Sequence, residues 1–238
     1  MSSGKLNRRD FLKVAGGTLF GLLLNNSVAN TPSAEENIII HPSENYNRRQ
    51  DGGEDQLEAE LVTFPQYGHV DMHDDLVKGF TKYWNEEFEE IPGYEKLNPN
   101  IPKAMIVVES GSKEHEDNVF KYDPMQIASD GDALSVLKTG SESGIPEEVR
   151  ERFQGKKKGV RIDGEWNYTN SGMTPEDSVY GGIFWLNHKG LLHDELGRIC
   201  GFEGWNKAVE QYNGSPKYLD KVSKTLDDGG LDPEYIFE

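Results

Sequence analysis

At 238 residues the chain is long enough for one sizeable hydrophobic core with tails, and short for two full domains. Its 35% hydrophobic and 10% aromatic content supports such a core, while a formal net charge of -17 disfavours nucleic acid as a partner. A single cysteine, Cys200, excludes an internal disulfide, so the fold must be held by its core alone, with Cys200 expected inside it as a small hydrophobe.

Residues 1–29 read as an export signal: a basic patch, KLNRRDFLK, an apolar run from Val14 to Leu24, and the small residues Ser27 and Ala29 beside a cut. Arg8 and Arg9, followed by Asp10, Phe11, Leu12 and Lys13, resemble the twin-arginine consensus, and Gly16 and Gly17 keep the apolar run mild. A general secretory signal is the other reading of the same residues. The run of 11 apolar residues is too short to span a bilayer comfortably. The expectation is an exported protein of the periplasm or cell wall, with no stable membrane anchor and a monomeric state favoured. Cleavage would take away four basic residues and one acidic one, moving the net charge from -17 to -20.

Residues 30–65 are acidic and punctuated by Pro and Gly, as in a linker or N-terminal arm, which leaves 66–238 for the folded domain. From Val70 to Ile91, Leu76, Val77, Phe80, Tyr83, Trp84 and Phe88 recur at three- and four-residue spacing, which predicts a helix with one apolar face. His69, Asp71, His73, Asp74 and Asp75 at its start have the look of metal ligands. Acidic residues at a helix start also complement its dipole, and nothing elsewhere completes a site, so no metal or other cofactor is expected.

A second helix should open near Asn100 as cap, with Pro102 in its first turn, and run through Met105 to Glu109 before stopping at Gly111. Asp163-Gly164, at the centre of alternating side chains in GVRIDGEWNY, is the one strong β-hairpin signal. Thr174 as cap, Pro175 in the first turn and Asp177 three residues after the cap open a third helix through GGIFWLNHKGLL. Two short helices broken at Asn213-Gly214-Ser215-Pro216 close the domain. The predicted class is mainly α with a small β-hairpin insertion.

Glu109 ends a buried-looking run, IVVESGS. The negative end of a helix dipole and the apolar neighbours Val107 and Val108 both disfavour its ionised form, so its pKa should be raised. A carboxylic acid kept protonated near neutrality is what protonation of a glycosidic oxygen requires. A solvated glutamate at a helix end is the plainer account of the same stretch.

Four segments in order resemble the lytic transglycosylases of the soluble type, members of the lysozyme-like superfamily related to goose-type lysozyme. Ile106–Gly111 (IVVESG) is similar to the family's Glu-Ser pair at a helix end, and Asp123–Ile127 (DPMQI) to its Gly-Leu-Met-Gln-Ile segment. Ser178–Leu186 (SVYGGIFWL) resembles a core helix beneath the cleft, and Ala208–Gly214 (AVEQYNG), with Tyr218 and Val222 beyond it, resembles the Ala-Tyr-Asn-Gly segment. Together they cover about half the chain, within residues 101–222. The resemblance implies a lysozyme-like helical domain that cleaves the β-1,4 bond between N-acetylmuramic acid and N-acetylglucosamine in peptidoglycan strands, leaving 1,6-anhydromuramyl ends. It makes Glu109 the acid/base, and Gln126 and Asn213 hydrogen-bonding groups of the sugar cleft. Tyr212 would position the glutamate, and Ser110 and Met125 would be supporting neighbours in the same substrate-binding set.

Asp123 and Pro124 depart from that pattern, and Lys156, Lys157 and Lys158 add a basic run expected to be a solvated loop. Asp123, Asp130 and Asp132 leave open a second carboxylate and therefore a hydrolytic muramidase. A non-catalytic glycan-binding protein of the cell wall is the reading from another class.

Overall fold

The computed structural model describes residues 60–111 and 119–237. The export signal and most of the expected arm lie outside the described residues.

A 3-10 segment, Pro65–His73, leads into α1, Asp74–Phe88, which buries Val77, Phe80, Trp84 and Phe88 along one face as its spacing predicts. Helix α2, Asn100–Ser110, is apolar nearly all round and buried from Asn100 to Val107. Asn100 is not its cap. Pro99 holds that place, and the Asn100 side chain instead accepts from Val62 N at 2.9 Å and donates to Glu60 O at 3.1 Å. This ties residues 60–64, assigned above to the arm, against the domain, with Phe64 buried.

The long interval after α2 is filled by three helices the sequence reading did not specify: α3, Val119–Tyr122, α4, Ala133–Thr139, and α5, Glu147–Phe153. Each is seven residues or shorter, too brief to show a period of its own, and tertiary packing rather than propensity stabilises such pieces. The predicted hairpin follows, β1 (Val160–Ile162) against β2 (Glu165–Asn167), with Arg161 opposite Trp166. Its turn residues Asp163 and Gly164 have φ of 53° and 92°, the left-handed pair that a two-residue turn matching strand twist requires.

Helix α6, Pro175–Lys189, is capped as expected: Thr174 Oγ1 accepts from Asp177 N at 3.1 Å and donates to Asp177 Oδ2 at 2.8 Å. It is buried from Asp177 to His188, with α1 and helix α7, Trp205–Asn213, packed on it. Trp84 joins α1 to it, donating from Nε1 to Tyr180 O at 3.1 Å with its ring 4.9 Å from that of Phe184. Gly182 is required here, because any Cβ would overlap Met125 of the loop that follows α3.

The helix stops at Lys189 rather than running on through Leu192. Leu191–His193 forms β3 and pairs with β4, Ile199–Phe202, a second hairpin absent from the sequence reading. Its turn is built locally: Asp194 Oδ1 accepts from Leu196 N and Arg198 N, both at 2.9 Å, and Gly197 takes a φ of 73°. Cys200 lies on the outer face of β4 and is exposed, against the expectation of burial. Helices α7 and α8, Tyr218–Asp228, are separated by Gly214 in the left-handed region, as the sequence indicates, and α9, Pro233–Phe237, follows. The described residues are therefore mainly helical with two small antiparallel hairpins, and α8 packs on α2. Among the described residues, no helix is long and apolar enough to cross a membrane.

The acidic and histidine cluster before α1 is structural. Asp71 and Asp74 receive the Nζ of the fully buried Lys103 at 2.6 and 2.8 Å, and the rings of His69 and His73 pack on Phe120 at 4.7 and 4.6 Å. Both carboxylates are thereby committed to a cation of the chain itself.

Candidate active site

Glu109 sits on the last turn of α2, where α7, α8 and the turn 123–128 converge. It faces an open cleft of about 490 Å³, within the size range of small-molecule and glycan sites. Met125, Gln126, Trp185 and Tyr212 line the cleft with it, and Arg161 and Trp166 of the first hairpin form part of the wall.

Burial pushes the Glu109 carboxyl up to about 7. The neighbouring Tyr218 hydroxyl and the Asn213 amide pull it down, the negative Asp123 pushes it further up, and Lys221 pulls it down. Asn213 Nδ2 donates to Glu109 Oε1 at 3.3 Å. The hydroxyl of Tyr218 is buried, lies outside good hydrogen-bond geometry with any group, and has the Glu109 carboxyl as its polar neighbour. Near neutrality such a carboxyl is divided between acid and carboxylate, the condition for both giving and taking a proton.

The turn 123–128 is held from below. Asp123 is fully buried, and its carboxylate accepts from Ile127 N at 2.9 Å, Ala128 N at 2.7 Å and Ser178 Oγ at 2.6 Å. Gln126 is one of two described non-glycine residues with positive φ, at 51°. Its Nε2 donates to the backbone carbonyl of Glu109, one of the four carbonyls that the helix end leaves without an intrahelical partner. Met125 donates from its N to Ser178 Oγ at 3.0 Å, and its carbonyl accepts from Tyr212 Oη at 2.8 Å.

Of the predicted site residues, the structure brings together Glu109, Met125, Gln126, Tyr212 and Asn213 on one cleft. Ser110 is placed differently: it is buried, and its hydroxyl lies 3.1 Å from Ile106 O and 2.9 Å from Pro124 O, so it braces the turn rather than reaching the cleft. Tyr212 touches the glutamate only indirectly, since its hydroxyl is committed to the Met125 carbonyl. Asp123 is withdrawn as a second carboxylate because all its hydrogen bonds go to the protein beneath the cleft. Asp130 and Asp132 do line it, Asp130 3.4 Å from Arg161 Nη2.

Among the cleft residues that sequence reasoning missed are two aromatic–cation pairs. Trp185 and Lys189 lie on α6, with Lys189 Nζ 3.9 Å from the Trp185 ring, and Arg161 stacks 4.8 Å over Trp166. The alternation of the predicted hairpin already put Arg161 and Trp166 across from each other, which was the available signal. The lysine run is likewise more than a solvated loop. Lys158 Nζ donates to Gly131 O at 2.6 Å and Lys156 Nζ to Gly172 O at 2.6 Å, so two of the three lysines tie down neighbouring backbone. No protein-family model, curated protein or solved structure matches the chain.

Proposed function

We propose that the protein is an exported peptidoglycan lytic transglycosylase of lysozyme-like fold, with Glu109 as its general acid/base. The observation that carries this reading is a half-buried glutamate, held near neutrality by burial and fixed by Asn213, on the floor of an open cleft with tryptophans in its lining. Glu109 protonates the glycosidic oxygen of the leaving N-acetylglucosamine as the bond from muramyl C1 breaks. The substrate's own N-acetyl group stabilises the positive centre at C1. Glu109, now a carboxylate, takes the proton of the muramyl 6-hydroxyl while that oxygen bonds to C1, giving the 1,6-anhydro end with no water consumed.

The placement of Asp130 and Asp132 on the cleft wall favours one rival, hydrolysis, in which a second carboxylate activates water. Digestion of purified peptidoglycan, with mass spectrometry of the fragments beside Glu109→Gln, tests both. Anhydro ends that disappear in the variant are the expected result, with kcat reduced about 10²- to 10⁴-fold. Reducing ends would show hydrolysis. A wild type that binds sacculi without cutting them would make the protein a binding module, and activity untouched by Glu109→Gln would overturn the assignment of the site.

A further inference from the structure

Asp123 is the feature of this site that the family resemblance does not supply, since it stands where the pattern has glycine. Burying a carboxylate completely is unfavourable unless its charge is met by donors. Here three donors meet it: the N–H groups of Ile127 and Ala128 and the Ser178 hydroxyl of α6. No lysine, arginine or histidine forms an ion pair with it among the described residues. The charge is thus held by dipoles and not neutralised, so its field extends into the cleft.

Two consequences meet at Glu109. The first is mechanical: the clamp fixes the turn that carries Gln126, bonded to the Glu109 carbonyl, and Met125, bonded to Tyr212. The second is electrostatic, because a like charge nearby favours the protonated form of a carboxyl.

We propose that Asp123 is a positioning residue for the acid: it clamps the turn under Glu109 and places behind it a second buried negative charge that keeps Glu109 able to donate a proton. The groups that face this pair come from every neighbouring element. Helix α8 brings Tyr218 and Lys221, α7 brings Tyr212 and Asn213, α6 brings Ser178, the turn brings Gln126, and Tyr168 approaches from the segment after β2. Of these Lys221 alone is cationic, and it acts against Asp123. Asp123 itself is raised to about 6 by burial, with Ser178, Ala128 and Ile127 opposing, so it carries its charge at neutral pH.

The inference deepens the reading of Glu109 as the acid and rests on it only where turnover is measured. Side-chain carboxyl ¹³C titration of the full chain tests it without substrate, the Glu109 signal being assigned by its loss in Glu109→Gln. The Glu109 midpoint should fall by about one pH unit in Asp123→Asn. A midpoint that stays or rises overturns the proposal. Should Asp123→Asn fail to fold, the wild type decides: the Glu109 signal must show a second inflection at the Asp123 midpoint, and a single inflection overturns the proposal. With peptidoglycan as substrate, the basic limb of kcat/KM should move to lower pH by the same amount in the variant. A loss of kcat with an unmoved limb would reduce Asp123 to a merely structural clamp and overturn the electrostatic role. If the wild type cleaves no glycan, the proposed function falls while the titration still judges the Asp123–Glu109 coupling.

Discussion

The two ends of α2 handle buried charge in opposite ways. At its first turns Lys103 is fully buried, yet Asp71 and Asp74 meet its ammonium at 2.6 and 2.8 Å, and Phe64 offers a ring face at 5.9 Å. At its last turn Glu109 has a like charge, Asp123, behind it and only Asn213 bonded to its carboxyl in good geometry. The compensated end holds the fold together. The uncompensated end is kept near the protonation boundary, the state that the proposed acid/base role requires. One short helix therefore separates a structural ion cluster from a carboxyl of raised pKa by about two turns, which α-helical rise sets at roughly 10 Å.

Breaking the compensated end should have the largest effect on stability. Lys103→Met leaves Asp71 and Asp74 without their cation and should lower the unfolding free energy by about 3 kcal/mol, measured by urea titration. Turnover per folded molecule should not change. A loss under about 1 kcal/mol would mean that the cluster is not the structural counterpart drawn here.

Relieving the uncompensated end should do the reverse. A carboxyl whose folded value is raised stabilises the fold in full below its unfolded value near 4.5 and loses that contribution as pH rises through about 7. Asp123 adds a loss between 3.8 and about 6. The wild type should accordingly be less stable at pH 8 than at pH 5. Glu109→Gln, which cannot ionise, should gain about 1–2 kcal/mol over wild type at pH 8 and nothing at pH 4. Equal stability of the two proteins at pH 8 would contradict the burial of this carboxyl.

Tyr212→Phe is a smaller cut. It removes the hydroxyl that satisfies the Met125 carbonyl and should cost about 1 kcal/mol, with a parallel drop in kcat if the turn is what presents the glutamate. The smallest change is Arg161→Ala at the cleft wall. Its pair with Asp130 is exposed, so stability should stay within about 0.5 kcal/mol, while KM for peptidoglycan rises more than kcat falls.

Much of this was legible in the sequence because it is local. The period of Val77, Phe80, Trp84 and Phe88 gives α1, Thr174-Pro175 with Asp177 gives the start of α6, and Asp163-Gly164 gives the hairpin turn. The direction of the Glu109 shift was expected from a helix end and apolar neighbours, but burial by the packed fold is what raises it. The short helices α4 and α5 were not legible, since each is stabilised by what packs on it, whereas the second hairpin carried a local signal in Asp194 and Gly197 that the reading passed over.

What the sequence by itself determined is the helical class, the apolar face of α1, the start of α6, the first hairpin turn and a glutamate whose carboxyl should be hard to ionise. Only the tertiary structure decided the partners of the buried charges. Lys103 and Asp71 lie 32 residues apart and Asp123 and Ser178 lie 55 apart, and no pattern along the chain encodes which of them will meet. Desolvation makes an unmet charge so unfavourable that the packed fold must choose each partner, and that choice turned Asp123 from a stray departure into the clamp beneath Glu109.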